Sequence, residues 1–108
     1  EVIVGTQRVR YGALADAERA NALAPNQPAF MDTWAMLLSS ANQHERALEM
    51  QKKVVQLQPQ VLEFKLNLAK IQIKAGNKDA ARALLDELSA AGDRFSAQAE
   101  VDRLKKTL

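Results

Sequence analysis

Cysteine is absent from the 108 residues, which excludes disulfides, thiolate metal sites and cysteine nucleophiles and leaves the redox compartment open. Histidine occurs once, at His44. One imidazole without thiols cannot make a zinc site of the usual kind. A histidine base also needs a positioned partner and a nucleophile, and nothing recurs around His44, which follows Asn42 beside Glu45 and Arg46. His44 is expected to be a solvated turn residue, and no enzyme activity, metal or cofactor is expected. The net charge is only +2, and the aromatics are limited to Tyr11, Phe30, Trp34, Phe64 and Phe95. Nucleic-acid binding calls for a denser basic stripe with aromatics free to stack, so no nucleic-acid partner is expected. No apolar run approaches the roughly 20 residues that a membrane-spanning helix needs, so direct membrane insertion by this segment is not expected. The opening stretch, "EVIVGTQRVR", has neither the apolar core nor the cleavage site of a signal peptide. A start at Glu1 rather than Met suggests a piece of something longer. Proline (3) and glycine (4) are also scarce, and the abundance of Ala, Leu, Lys, Glu and Gln favours helices over strands. The expected fold class is all-α, in one domain over residues 1–108.

What the sequence does contain is a repetition. Residues 23–30 read "LAPNQPAF" and residues 57–64 read "LQPQVLEF", both of the form L-x-P-x-x-x-x-F, and 34 residues apart. Between them, Phe30, Trp34, Leu37, Leu38 and Ala41 recur at helical spacing and predict a helix over 28–41. Asn42 tolerates the left-handed conformation that ends many helices. A second helix is predicted over 45–57, with Ala47, Met50, Val54 and Leu57 on one stripe, stopped by Pro59. The plan then repeats. Phe64, Leu68, Ile71 and Ala75 mark a helix over 61–75, and Gly76 stands 34 residues after Asn42. Asn77 is a candidate N-cap, and Ala81, Leu84, Leu85 and Leu88 line a helix that Gly92 is expected to close. Ala35 answers Ala69 and Ala47 answers Ala81 at the same interval, small residues that let helices approach closely. Upstream, "ALADAERANALAP" reads as the second helix of a preceding unit. Downstream, Ala97, Val101, Leu104 and Leu108 form one stripe on a polar helix begun near Ser96, suited to covering the open end of a stack.

These marks resemble the tetratricopeptide repeat, a helix–turn–helix unit with a period of 34 residues. The resemblance rests on Ala35 and Ala47, Ala69 and Ala81, and Pro25 and Pro59, and it spans about residues 11–92. It implies a right-handed superhelix of stacked antiparallel helix pairs: a partial repeat over 1–27, repeats over 28–61 and 62–92, and a capping helix over 93–108. The sequence departs from the pattern at Gln51, Lys65 and Gln72, positions usually apolar, and at Tyr11, one residue late. Buried amides without partners are costly, so the glutamines are expected to be hydrogen-bonded or exposed. A narrower likeness is carried by "ALAPNQPAFMDTWAMLL" and "AGNKDAARALLDELSAAGDRFSAQAEVDRLKKTL". They look like the C-terminal end of the tetratricopeptide lipoproteins associated with exosortase/PEP-CTERM and exopolysaccharide systems. That likeness would imply a lipid-anchored, periplasmic scaffold of the bacterial envelope.

In such a superhelix the first helix of each pair lines the concave side. The resemblance assigns that side to Asp32, Thr33, Met36, Ser39 and Ser40 in one unit. In the next it assigns Glu63, Leu66, Asn67, Lys70, Ile73 and Lys74. The helix over 61–75 is apolar on two opposed faces, because Leu62, Leu66, Ala69 and Ile73 lie nearly opposite the stripe through Phe64 and Ile71. Two readings stand open. In one, Met36, Leu66 and Ile73 floor a peptide groove, with Lys70 and Lys74 steering the ligand and Asn67 bonding its backbone. In the other, the terminal helix fills the hollow, and the segment is the structural end of a longer array with no ligand site of its own. Some relatives grip a C-terminal carboxylate with a Lys, Arg and Asn cluster. Asn67 and Lys70 match part of that set, but Asp32 would repel the ligand. The expected function is a non-catalytic module for a protein or peptide partner, its oligomeric state open.

Overall fold

The computed structural model describes residues 27–108, which form five α-helices and one 3₁₀ turn, with no strand among them. The helices are α1 (Pro28–Ser40), α2 (His44–Leu57), α3 (Leu62–Lys74), α4 (Lys78–Ala90) and α5 (Gln98–Lys106); the 3₁₀ turn is Gly92–Arg94. The secondary structure of the described residues is all helical, as the composition and periodicity imply. The readings placed on residues 13–25 and on Tyr11 lie outside the described residues.

The 34-residue period reappears in the backbone of the two hairpin turns. Asn42 adopts a left-handed φ of 64° and Gly76 one of 87°. Around Asn42 the amide of Gln43 reaches back to the Leu38 carbonyl (2.9 Å), and the Asn42 amide to that of Ser39 (3.1 Å). Around Gly76 the amide of Asn77 reaches Gln72 (2.8 Å), and the Gly76 amide reaches Ile73 (3.1 Å). Every donor and acceptor in the second set stands 34 places after its counterpart in the first. This left-handed cap satisfies carbonyls that a helix end otherwise strands. At the other end, Pro28 begins α1 where its missing amide hydrogen costs nothing.

Consecutive helices pack against one another, and α1 also packs directly on α3. Two apolar clusters result. One joins Ala35 and Leu38 of α1, Ala47 of α2 and Ile71 of α3; the other joins Leu66 and Ala69 of α3 to Ala81, Leu85 and Leu88 of α4, Phe95, and Val101 of α5. The small residues sit at the crossings: Ala35, Ala47, Ala69 and Ala81 are all fully buried. Helix α3 is thus buried on both of its apolar faces, which is why its pattern lacks the single stripe of a surface helix.

The structure departs from the sequence reading in several places. Leu57, placed on the core stripe of α2, is 45% exposed, whereas Met31, outside the predicted stripe, is 2% exposed. Leu57 is the last residue of its helix, where the stripe runs past its neighbours. His44 is not a solvated turn residue. It is half-buried and opens α2, with its Nδ1 meeting no partner among the described residues. Gly92 follows the C-cap Ala91 of α4 with a left-handed φ of 59°, the place that Asn42 and Gly76 take after α1 and α3, and it also opens the 3₁₀ turn, which the sequence reading did not anticipate. That turn carries Phe95 into the core at 4% exposure. The terminal helix begins at Gln98, whose side-chain amide donates to the carbonyls of Leu88 (2.7 Å) and Gly92 (3.1 Å) and ties α5 to the end of α4.

Candidate functional site

The residues assigned to a concave face lie on α1 and α3, the pair of helices that pack side by side across the hairpins. On α1, Asp32, Met36 and Ser40 are half-buried, Thr33 is exposed, and Ser39 is buried. The Thr33 hydroxyl bonds back to the Ala29 carbonyl at 3.3 Å, within its own helix. Met36 packs against the edge of the cluster around Ala35 and Leu38. On α3, Glu63 and Lys74 are exposed, and Asn67, Lys70 and Ile73 are half-buried.

Leu66 is different. It is 3% exposed and lies in the cluster that holds Val101 of α5, with Ile73, Ala97, Leu104 and Leu108 packed around the rim. Of the floor expected of a groove, Leu66 is therefore core, in the cluster that also holds Val101 of α5, whereas Met36 and Ile73 stay half-buried. Complete burial of an aliphatic side chain such as Leu66 is worth roughly 1.5–3 kcal/mol. Lys70 is likewise engaged. Its Nζ lies 2.7 Å from Glu100 of α5, and Arg103 approaches the same carboxylate at 3.5 Å. A lysine held this way steers no ligand by its full charge.

Two of the predicted residues do meet. The Asn67 Nδ2 donates to Asp32 Oδ1 at 2.9 Å and to Oδ2 at 3.1 Å, a bond from α3 to α1. Gln51 of α2, fully buried, joins them: its Nε2 donates to Asp32 Oδ1 at 2.7 Å and to the Phe64 carbonyl at 2.9 Å. Asp32 is thus the node of a polar bridge among three helices. Gln51 was conspicuous as an amide where the repeat usually carries an apolar residue, and its nitrogen has the expected partners. Its Oε1 has none among the described residues, nor does the Oε1 of Gln72, which is 6% exposed. The expectation of partners or exposure fails for Gln72. Lys65, the third departure, pairs with Glu87 of α4.

Neither Gln51 nor Glu100 was singled out as part of the site. The spacing of Gln51 from Asp32 and Asn67 along the chain carries no periodic signal. Glu100 looks like any charge on the polar side of a terminal helix. Elsewhere, a hollow of about 500 Å³ opens beside Leu38 and Met50, with Arg46, Lys52, Lys53 and Glu49 at its rim. Its charges are of mixed sign and exposed, and it brings together no base and nucleophile. Among the described residues, no helix is long and apolar enough to cross a membrane.

Comparison with known families places residues 38–107, from the end of α1 to the end of α5, in the tetratricopeptide repeat. No curated protein and no solved structure matches the chain. The match carries the repeat family and nothing narrower.

Proposed function

Because the chain belongs to the tetratricopeptide repeat family, we propose that it is a non-catalytic interaction module that holds a protein partner on the face shared by α1 and α3. The observation that carries this reading is the Asp32–Asn67 bridge, which fixes the two helices side by side and leaves Thr33, Met36, Glu63 and Lys74 at least partly open beside it. Apolar contact at Met36 and charge at Glu63 and Lys74 supply what a short peptide segment needs from such a surface. Leu66 is left out of the contact set, and Lys70 contributes only through its pair with Glu100. The narrower likeness of residues 22–38 and 75–108 to exopolysaccharide-associated lipoproteins would place that partner in assembly of a bacterial envelope, at a periplasmic, lipid-anchored address. That setting rests on the quoted stretches alone.

A second reading is favoured by one observation, the cover that α5 lays over Leu66 and Ile73. On it, this segment closes a stack of repeats and binds nothing itself. Affinity capture with the chain as bait, run beside a Met36→Glu, Lys74→Glu double variant, separates the two. Both substitutions fall on partly exposed or exposed positions and should leave the circular dichroism and Tm within a few degrees of the parent. Partners retained by the parent and lost by the variant support binding at this face. An identical or empty set of partners for both leaves the closing role.

A further inference from the structure

Among the described residues, Asp32 is held in place by neutral donors alone. Its Oδ1 accepts from Gln51 Nε2 and Asn67 Nδ2, and its Oδ2 from Asn67 at the longer distance of 3.1 Å. The orientation of the Gln51 amide is not arbitrary. Its nitrogen faces two acceptors, the Asp32 carboxylate and the Phe64 carbonyl, so the NH₂ must point there. The oxygen of the same fully buried amide has no partner among the described residues. The cations of the ion pairs formed among the described residues are spent elsewhere: Lys65 on Glu87, Lys70 and Arg103 on Glu100, Arg82 on Asp79 and Lys105 on Asp86. None of these reaches Asp32. A carboxylate that is half-buried, rigidly held and not neutralised raises the local preference for a cation.

The neighbouring charges point the same way. Glu63 stands four residues before Asn67, one turn along the same side of α3, and is exposed. Lys70, three residues beyond Asn67, is neutralised by Glu100. The seam therefore presents two carboxylates, with Lys70 neutralised by Glu100 and the exposed Lys74 standing seven residues, two turns, beyond Asn67. Asp32 Oδ2, with only its long bond, has lone-pair capacity left for one strong charge-assisted donor.

We propose that the α1–α3 seam at Asp32 is an anchoring site for a basic side chain, arginine or lysine, of the protein partner, with Gln51 and Asn67 as positioning residues and Glu63 as a second carboxylate. The proposal rests on the reading of this face as the binding face and names its chemistry: a basic segment is selected and a terminal carboxylate rejected.

The probe is an alanine-based hexapeptide with one central arginine, set against the same peptide with citrulline, the neutral isostere. Titrated into the ¹⁵N-labelled chain at low salt, the arginine peptide should give saturable shifts of the Asn67 and Gln51 side-chain amide signals. The citrulline peptide should bind at least about tenfold more weakly, as expected when a charge-assisted bond loses its charge. Asp32→Asn, which keeps an acceptor for both amides, should weaken the arginine peptide by a similar factor without changing Tm by more than a few degrees. Glu63→Gln should cost a few-fold. Equal binding of the two peptides, unchanged affinity in Asp32→Asn, or no saturable shift would each overturn the proposal. So would binding that appears only once Arg8, Arg10 and Arg19 are replaced by glutamine, since the seat would then belong to this chain. If the affinity capture succeeds while the peptides fail, only the basic anchor falls.

Discussion

Replacing Leu66 by alanine tests whether the hollow of the repeat is open or filled. The side chain is 3% exposed and belongs to a cluster drawn from separate elements: Ala69 of α3, Leu85 and Leu88 of α4, Phe95 after the 3₁₀ turn, and Val101 of α5. Because those neighbours are anchored on different helices, they cannot all collapse into the space, and the cost should fall near the middle of the usual range for buried Leu→Ala, about 3 kcal/mol. In a domain of this size each kcal/mol moves Tm by roughly 4–8 °C, so a fall on the order of 12–24 °C is expected. The loss should be concentrated at the C-terminal end, in the cluster that Leu66 shares with Val101 of α5. Hydrogen exchange should therefore quicken at Val101 and Leu104 before it quickens in α1. Met36→Ala is the matched control. Half-buried at a cluster edge, it should cost about 1 kcal/mol or less. Thermal melts by circular dichroism and amide exchange by mass spectrometry read both. A Leu66→Ala protein that melts within a few degrees of the parent, with α5 still protected, would refute the packing described here and return Leu66 to the surface.

Three other outcomes follow from particular residues. Gln72→Leu should raise Tm by several degrees, because it removes a buried oxygen without a partner, worth about 1 kcal/mol; a lowered Tm would mean that the amide is satisfied in solution. Gly76→Ala should lower the urea midpoint by the equivalent of about 1 kcal/mol through its φ of 87° alone, since a Cβ there meets nothing within 4 Å; Asn42→Gly, at the matching turn, should be neutral or slightly stabilising. Lys70→Glu should destabilise by up to about 1 kcal/mol at low salt through repulsion with Glu100, less in high salt, and a second change, Glu100→Lys, should restore stability; no recovery in the double variant would deny the pair.

Much of this architecture was legible because its causes are local. Pro28 and Pro59, Asn42 and Gly76, and the alanines at the helix crossings act through backbone conformation and side-chain size, and their effects need no distant partner to be anticipated. The helix limits followed to within a few residues, and α5 was visible as one apolar stripe on a polar helix. The misses share a different origin. Leu57 sits on the correct stripe but at the end of its helix, beyond the reach of its neighbours. The partners that define the candidate site are 19 residues apart for Gln51 and Asp32 and 35 for Asn67 and Asp32, so no pattern within one helix reveals them.

The sequence by itself determined the period, the helices and the turns that reverse them, because each depends on residues within a few places of one another. It also determined that α3 carries two apolar faces. Tertiary structure alone decided that both are covered, one by α1 and α2 and the other by α4 and α5, and that Lys70 answers to Glu100 while Asp32 is left to two amides. Those outcomes turn on which side chains the stacking brings within a few ångströms, a matter of the relative placement of whole helices and not of any one helix's order of residues.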